Sequence, residues 1–409
     1  MSEARPTLRD NLRSMPGSAW ILFAGTFVNR LGTFVLPFIT LYLTSLHYSA
    51  PQAGVAIACY GLGGLTAQAA GGLLADRLGR RNTISTAMLS AAALTVALSR
   101  AHSLATIYPL MFALAAMAEL HRPAAGALIA DLLPSERRVT AFTMYRLAVN
   151  LGWACGLALG GLLAEHNFLW LFWGDAATSA TFGVIALVAL PHGTRTPRHE
   201  ERHLASARSA IVADRGFLLF LAAVLITGAV YSQNVSTLPL KLRVDGYGPS
   251  TYGLLQALNG IIIVFAELPV IAWTQRHARM SIVALGDVLI GLAFFSLLFA
   301  TTLPGFLVMI VLWTVGEMVE SPVASAVAAD RAPTHARGRY QSAYGSMFGV
   351  AWMLGPVLGT SVYAASPTAL WIACGVAGVV AANLSLAAGR RPVPSVGPPT
   401  SMEVDAPGV

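Results

Sequence analysis
Apolar residues gather into stretches of roughly 20, the length of a helix that crosses the hydrocarbon layer of a bilayer, and these stretches recur along the whole chain. Bounded by charged residues or Pro/Gly breaks, they lie near 20–45, 51–74, 83–99, 104–130, 140–163 and 168–190. A second set lies near 217–242, 250–274, 281–301, 304–329, 340–363 and 367–388. Lipid offers no hydrogen bonds to an exposed backbone, so each stretch is expected to be an α-helix. The pattern therefore predicts an all-α membrane protein with twelve transmembrane helices, spans 1–12.

The polar positions between the spans give the orientation. Positive residues fall on alternate connections: Arg5, Arg9 and Arg13; Arg77, Arg80 and Arg81; Arg137 and Arg138; and five arginines from Arg195 to Arg215. The series continues with Arg276 and Arg279; Arg331, Arg337 and Arg339; and Arg390 and Arg391. The other connections hold Arg100, Lys241 and Arg243. Positive charge marks the cytoplasmic side, so both termini are expected inside the cell, with the chain multi-pass in a bacterial inner membrane. The start, MSEARPTLRDNLRSMPGSAW, lacks a clear small-residue cleavage site and reads as the lead into a retained first helix. The expected organisation is an N-terminal six-helix bundle at 1–190, a basic cytoplasmic linker at 191–215, a C-terminal bundle at 216–390, and a Pro-rich, disordered tail at 391–409.

The two sets of spans are copies in register. Adding 199 to a position in the first half repeatedly lands on the same residue type in the second. Tyr48 meets Tyr247, Arg77 and Arg80 meet Arg276 and Arg279, Pro123 meets Pro322, and Ala130-Asp131 meets Ala329-Asp330. Arg138, Tyr145, Trp153, Gly156 and Gly160 meet Arg337, Tyr344, Trp352, Gly355 and Gly359. Helix composition can match alanines and leucines by chance, but not arginines, prolines and tryptophans at one constant offset. An offset spanning six helices gives both halves the same orientation. That implies two bundles related by a pseudo-two-fold axis along the membrane normal, with a substrate site between them near the midplane.

Composition narrows the class. Only 11% of the residues are charged, against about 25% in an ordinary soluble domain. The net charge of +7 comes almost entirely from arginines between spans, not from a basic patch with aromatics, so nucleic acid is not an expected partner. Cys59, Cys155 and Cys374 fall inside spans, far apart, without disulfide or metal-ligand spacing. No nucleotide loop, metal cluster or nucleophilic triad is evident, so neither an enzyme nor a cofactor is expected.

Gly72-Leu-Leu-Ala-Asp76-Arg77-Leu-Gly79-Arg80-Arg81, between spans 2 and 3, resembles the signature loop of the major facilitator superfamily, G-x-L-A-D-R-x-G-R-R. Its glycines permit a tight turn, and Asp76 at a helix end is suited to pair with arginines or a neighbouring helix N-terminus. Such a cluster is expected to latch the halves when the cytoplasmic side closes. Arg122-Pro-Ala-Ala-Gly126 resembles the family's R-x-x-x-G element, associated with proton coupling. The run Gly152 to Gly161, with Gly156 and Gly160, resembles the antiporter element G-x-x-x-G-P-x-x-G-G, but has Leu157 where proline is expected. Its repeat partner Gly355-Pro356-Val357-Leu358-Gly359 keeps the proline, and in both copies helix packing is a sufficient role. Gly316-Glu317 to Pro322 resembles the G-E-x-x-x-x-P segment of several proton-coupled branches. The resemblance implies a monomeric transporter that works by alternating access and is driven by the proton gradient.

Charges within spans mark candidate functional sites because the hydrocarbon layer opposes them. Arg30, Glu119, Glu317 and Glu320 fall near the midplane, and Arg122 one turn deeper. In the family, spans 1, 4, 7 and 10 line the cavity. Arg30 and Asn29, Glu119 and Arg122, Tyr231, Gln233 and Asn234, and Glu317 and Glu320 lie on those four, with Asn259 on span 8. Glu317 is the expected proton carrier, with Glu119–Arg122 as a second titrating unit and Glu320 beside Glu317 on one helix face. Arg30, Asn29, Tyr231, Gln233, Asn234 and Asn259 are the expected substrate-cavity residues, while His121 reads as a packing or hydrogen-bonded histidine. The leading expectation is proton-coupled efflux of lipophilic, drug-like compounds. The alternative is proton-coupled uptake of a peptide, sugar or organic acid, with Arg30 and Arg122 clamping a carboxylate. A non-transporting receptor or scaffold would be expected to add a sizeable soluble domain or a long structured tail.

Overall fold
The computed structural model describes residues 14–192, 211–332 and 337–391. The expected N-terminal arginines, most of the linker and the tail lie outside the described residues. Among the described residues, fifteen α-helices form twelve spans. Span 1 is α1 (Gly17–Leu31) and α2 (Val35–Ser45), and spans 2–6 are α3 (Ala50–Leu78), α4 (Arg80–Leu98), α5 (Leu104–Leu132), α6 (Ser135–His166) and α7 (Leu169–Ala189). Span 7 is α8 (Arg215–Tyr231) with the short α9 (Gln233–Ser236) and α10 (Leu238–Val244). Spans 8–12 are α11 (Pro249–Thr274), α12 (Arg279–Phe295), α13 (Leu303–Asp330), α14 (Arg337–Ala365) and α15 (Pro367–Gly389). Ten spans are apolar and long enough to cross a membrane by composition alone. Spans 2 and 3, richer in small and polar residues, are placed by packing against spans 4 and 6.

Local chemistry starts and stops these helices. Ser49 and Gln52 form a capping box at the head of α3, and Asp214 accepts the Phe217 amide at the head of α8. Gly79, at φ 86°, is the whole connection between α3 and α4; that left-handed backbone suits glycine, which has no Cβ to clash. Phe265, Leu268, Val188 and Phe299, each at least 77% exposed, face outward, as residues in contact with lipid tails do.

Spans 1–6 pack on one another, as do spans 7–12. The halves meet along two symmetry-related seams, span 2 with span 11 and span 5 with span 8. Glycines set the closeness of the helices. A Cβ on Gly156 would stand 2.6 Å from the Leu31 carbonyl oxygen, one on Gly152 2.8 Å from the Phe27 carbonyl, and one on Gly160 2.9 Å from Phe34. Gly161 meets Gly253 across the 5–8 seam, and Gly355 and Gly359 lie against Ser232 and Gln233. Pro356 sits within α14, where Thr360 donates to its carbonyl at 2.7 Å.

Two departures from the expected pattern matter. Span 1 breaks at Gly32–Phe34 and span 7 at Ser232 and again at Thr237; Ser232 is the 199-residue counterpart of Thr33, whereas Thr237 pairs with Phe38 inside α2. Both breaks carry polar residues, Thr33 in the first and Ser232, Gln233, Asn234, Ser236 and Thr237 in the second, but within a span these suit a cavity wall as well, so hydropathy alone does not reveal the breaks. At the first break, Asp175 of span 6 accepts the Val35 amide at 3.3 Å. At the second, Gln233 donates to the Ala229 and Gly355 carbonyls at 2.9 and 3.0 Å and accepts from Ser236 and Thr237 at 3.0 Å. Each break frees backbone groups that must find partners in a dry interior.

At the face opposite the arginine-rich connections the halves also touch directly. Thr40 donates to the Val235 carbonyl at 3.1 Å, Arg243 to Thr44 at 3.1 Å, and the Ser250 amide to Glu165 at 3.0 Å. Spans 4 and 10 each pack on their own half.

Candidate functional site
A cavity of about 390 Å³ lies between the halves. Spans 1, 2, 4 and 5 supply Arg30, Tyr60, Glu119, Arg122, Asn150 and Trp153 to its wall. Spans 7, 8, 10 and 11 supply Tyr231, Asn259, Glu317, Phe348 and Trp352. Lining residues toward the basic face, Gln68, Arg122 and Phe348, are exposed, whereas Leu36, toward the other face, is buried. With the contacts on that other face in place, the cavity is closed there and open toward the basic face.

The two walls differ in their electrostatics. On the N-terminal wall, Arg122 donates to Glu119 at 2.9 Å, one turn apart on α5, and Arg30 approaches the other carboxylate oxygen at 4.0 Å. Glu119 is thus bracketed by two guanidinium groups. On the C-terminal wall, the Tyr231 hydroxyl and the Asn259 amide each donate to Glu317 at 3.1 Å, and Asn259 also donates to Thr314 at 3.0 Å. No cation pairs with Glu317 among the described residues. Trp313, Phe348 and Trp352 surround Tyr231 at ring centroid distances of 5.3, 5.9 and 6.4 Å.

Of the residues expected to form the site, Arg30, Glu119, Arg122, Tyr231, Asn259 and Glu317 come together here. Four do not. Asn29 turns away and donates to Ser179 of span 6 at 3.2 Å. Gln233 is taken up by the break in span 7, and Asn234, in the same short helix, receives Tyr252 and Gln256 on its backbone carbonyl at 3.1 and 3.3 Å. Glu320 is buried toward span 9, where Gly286 leaves room for its Cβ. Three residues along a helix leave a net separation of only about 60°, so it is the space at Gly286 that seats Glu320 against span 9 while Glu317 faces the cavity. Aromatic residues were the missing part: Trp153, Phe348 and Trp352 line the cavity, and the repeat pairing of Trp153 with Trp352 was the signal available for two of them.

The signature loop makes its contacts within its own half. Arg80 donates to Asp76 at 2.5 Å and to the Ala75 carbonyl at 2.9 Å, and lies 3.4 Å from Asp131 of span 4. Arg81 contacts His192, Arg77 is exposed, and Gly72 lies within α3. The second half repeats the pairing between Arg279 and Asp330, each 199 residues beyond its counterpart. A cross-half ion pair, Arg146 of span 5 with Glu267 of span 8, lies at the 5–8 seam.

Two bundles of six parallel-repeated helices around a cavity, closed at one face and open at the other, define a membrane transporter. The sequence profile of the Major Facilitator Superfamily matches residues 22–250 and 238–407, and the chain belongs to that family. It is 25% identical over 309 residues to the uncharacterized MFS-type transporter YqjV of Bacillus subtilis, covering 74% of this chain and 75% of that one. It is 24% identical over 368 residues to the multidrug resistance protein MdtH of Escherichia coli O157:H7, covering 85% and 88%. A crystal structure of the nucleoside transporter NupG superposes with a TM-score of 0.77 at 14% identity, over 90% of this chain and 99% of that one.

Proposed function
We propose that the protein exports lipophilic, drug-like cations in exchange for protons, with its basic face in the cytoplasm and the proton gradient as its energy source. The observation that carries this reading is Glu317, a carboxylate in an aromatic-walled cavity that is held by two neutral donors and paired with no cation among the described residues. A single carboxylate of that kind takes either a proton or an organic cation, and aromatic faces add cation–π attraction. Competition between the two for one group is sufficient to couple their movements. Glu119 offsets only one of the two guanidinium charges of Arg30 and Arg122, so the ionised Glu317 is needed to balance the cavity against a cation. The likeness to a protein described as a multidrug resistance protein supports the same reading.

The test is the protein in liposomes with a pH-sensitive interior, given cationic dyes, dipeptides, sugars and organic acids in turn. Dye-triggered proton movement in the wild type, lost in Glu317→Gln, is the expected result. Equal movement in both would make Glu317 structural and overturn the assignment.

One observation favours a second reading, uptake of a small polar nutrient: the Arg122 side chain is 57% exposed and lines the cavity, as a carboxylate clamp would be. Proton movement triggered by dipeptides or organic acids, and lost in Arg122→Gln, would decide for it.

A further inference from the structure
Next to the main cavity, and sharing Arg30, Tyr60 and Glu119 with it, lies a second, small chamber of about 30 Å³, on the side of Glu119 away from the basic face. That is room for one or two water molecules. Arg30, Glu119, His121, Asp175 and Ser179 line it, with Tyr60. Two of these residues are more than nine-tenths buried and keep a polar atom that finds no partner among the described residues: Arg30 at Nε and His121 at Nε2. His121 Nδ1 lies 2.5 Å from the Ala118 carbonyl. A carbonyl only accepts, so Nδ1 carries the ring proton and Nε2 of the neutral ring is a bare acceptor. Arg30 Nε–H is a donor without an acceptor among the described residues.

We propose that the chamber holds an ordered water which accepts from Arg30 Nε and donates to His121 Nε2, making His121 the positioning residue for Arg30. Both orphaned groups are satisfied by the same molecule, and the remaining water hydrogen is available to Asp175 or Glu119. Leaving either buried group unpaired is costly, and a buried water is the usual remedy where polar groups converge on a small void. The charged and titratable groups facing His121 are Arg30 from span 1, Tyr60 from span 2, Glu119 and Arg122 from its own helix, and Asp175 from span 6. Span 6 also packs Phe182 edge-on against the ring at 5.9 Å. Fixed in this way, Arg30 holds its guanidinium at the Glu119 carboxylate in the wall between the chamber and the main cavity.

The consequence for transport rests on the proton coupling proposed above, but the water bridge does not. His121→Phe removes the acceptor and keeps the ring volume, whereas His121→Gln restores an acceptor close to the Nε2 position. The expected result for His121→Phe is a fall of about fivefold or more in the maximal rate of gradient-driven transport, with substrate KM within twofold of wild type, and recovery in His121→Gln. Wild-type rates in His121→Phe, or equal impairment in both variants, would overturn the positioning role. Independently, nitrogen-15 spectra of arginine-labelled protein should show Arg30 Nε–H in contact with water in the wild type and in His121→Gln, and lose that signal in His121→Phe. A wild-type protein without the contact overturns the bridge, even if the protein moves no protons at all or His121→Phe does not fold.

Discussion

Arg146 and Glu267 pair across the seam between spans 5 and 8, joining the two halves of the transporter in the state whose cavity opens to the basic face. Their repeat counterparts are Gly345 and Gln68 on the 11–2 seam, so this ion pair is not repeated at the equivalent positions. Because Arg146 is 55% exposed, the pair is worth on the order of 1 kcal/mol at most. Glu267→Gln should therefore shift the balance away from this state by up to about fivefold. Spin labels at Ser103→Cys and Thr302→Cys, on the far face of the two halves, would read this as a gain in the longer distance. The exchange Arg146→Glu with Glu267→Arg should reverse it, and an unchanged distance distribution in Glu267→Gln would show the pair to be inert.

At Glu317 the two donors should act unequally with the carboxylate itself. Tyr231→Phe removes one hydrogen bond worth about 1 kcal/mol and should weaken dye affinity a few-fold while keeping proton exchange. Titrating dye binding by fluorescence in detergent would measure this directly. A loss of exchange as complete as that in Glu317→Gln would place Tyr231 in the proton path itself.

The glycines of span 5 make a prediction about packing. Gly156→Val drives a branched side chain into the Leu31 backbone, and overpacking of this kind costs about 1–3 kcal/mol or more. A melting curve in detergent should show a clear fall. Gly64 is the control: a Cβ there would meet only Glu119 Cγ at 3.8 Å, so Gly64→Ala should melt within a degree or two of wild type.

Asp214 and Arg331 form a buried pair at 2.8 Å, with side chains 1% and 8% exposed, where the head of span 7 meets the end of span 10. Asp214 also caps α8. Asp214→Ala leaves a buried guanidinium unpaired and should cost about 3–5 kcal/mol. It should destabilise the protein more than Gly156→Val does, detectable as lost monodisperse protein on size-exclusion chromatography after mild heating.

The matched ion pairs of the two loops should differ in weight. Arg80 is 7% exposed and Arg279 58%, so solvent screens the second pair far more than the first. Asp131→Asn should lower the melting temperature measurably, and Asp330→Asn should not. Equal effects would mean that the loops are equivalent.

The fold was legible because its two determinants, apolar span length and a repeat offset, are properties of the chain alone. The pairing of Arg80 with Asp131 and of Arg279 with Asp330 follows from that offset once one pair is known. Breaks inside spans were not legible, since Leu31 to Phe34 and Tyr231 to Thr237 carry no polar interruption that differs from a cavity wall. That is also why Gln233 and Asn234 were expected in the cavity: a polar side chain within a span serves a broken backbone as readily as a substrate. Asp175 shows the same ambiguity, as its carboxylate caps α2. Glu119, Arg122 and Glu317 were found because a charge near the midplane has few structural uses, and the direction in which Glu320 points depends on a neighbour, Gly286, that no local pattern connects to it.

Thr44 and Arg243 are themselves 199 residues apart and touch. A two-fold axis brings a residue lying on it against its own copy, as at the centre of a homodimer. Two arginines would repel there, and two threonines would give no cation–hydroxyl contact. The contact seen requires the halves to be different, so the axis is where a duplicated gene gains most from letting its copies diverge, and where swapping one half for a second copy of the other would first fail.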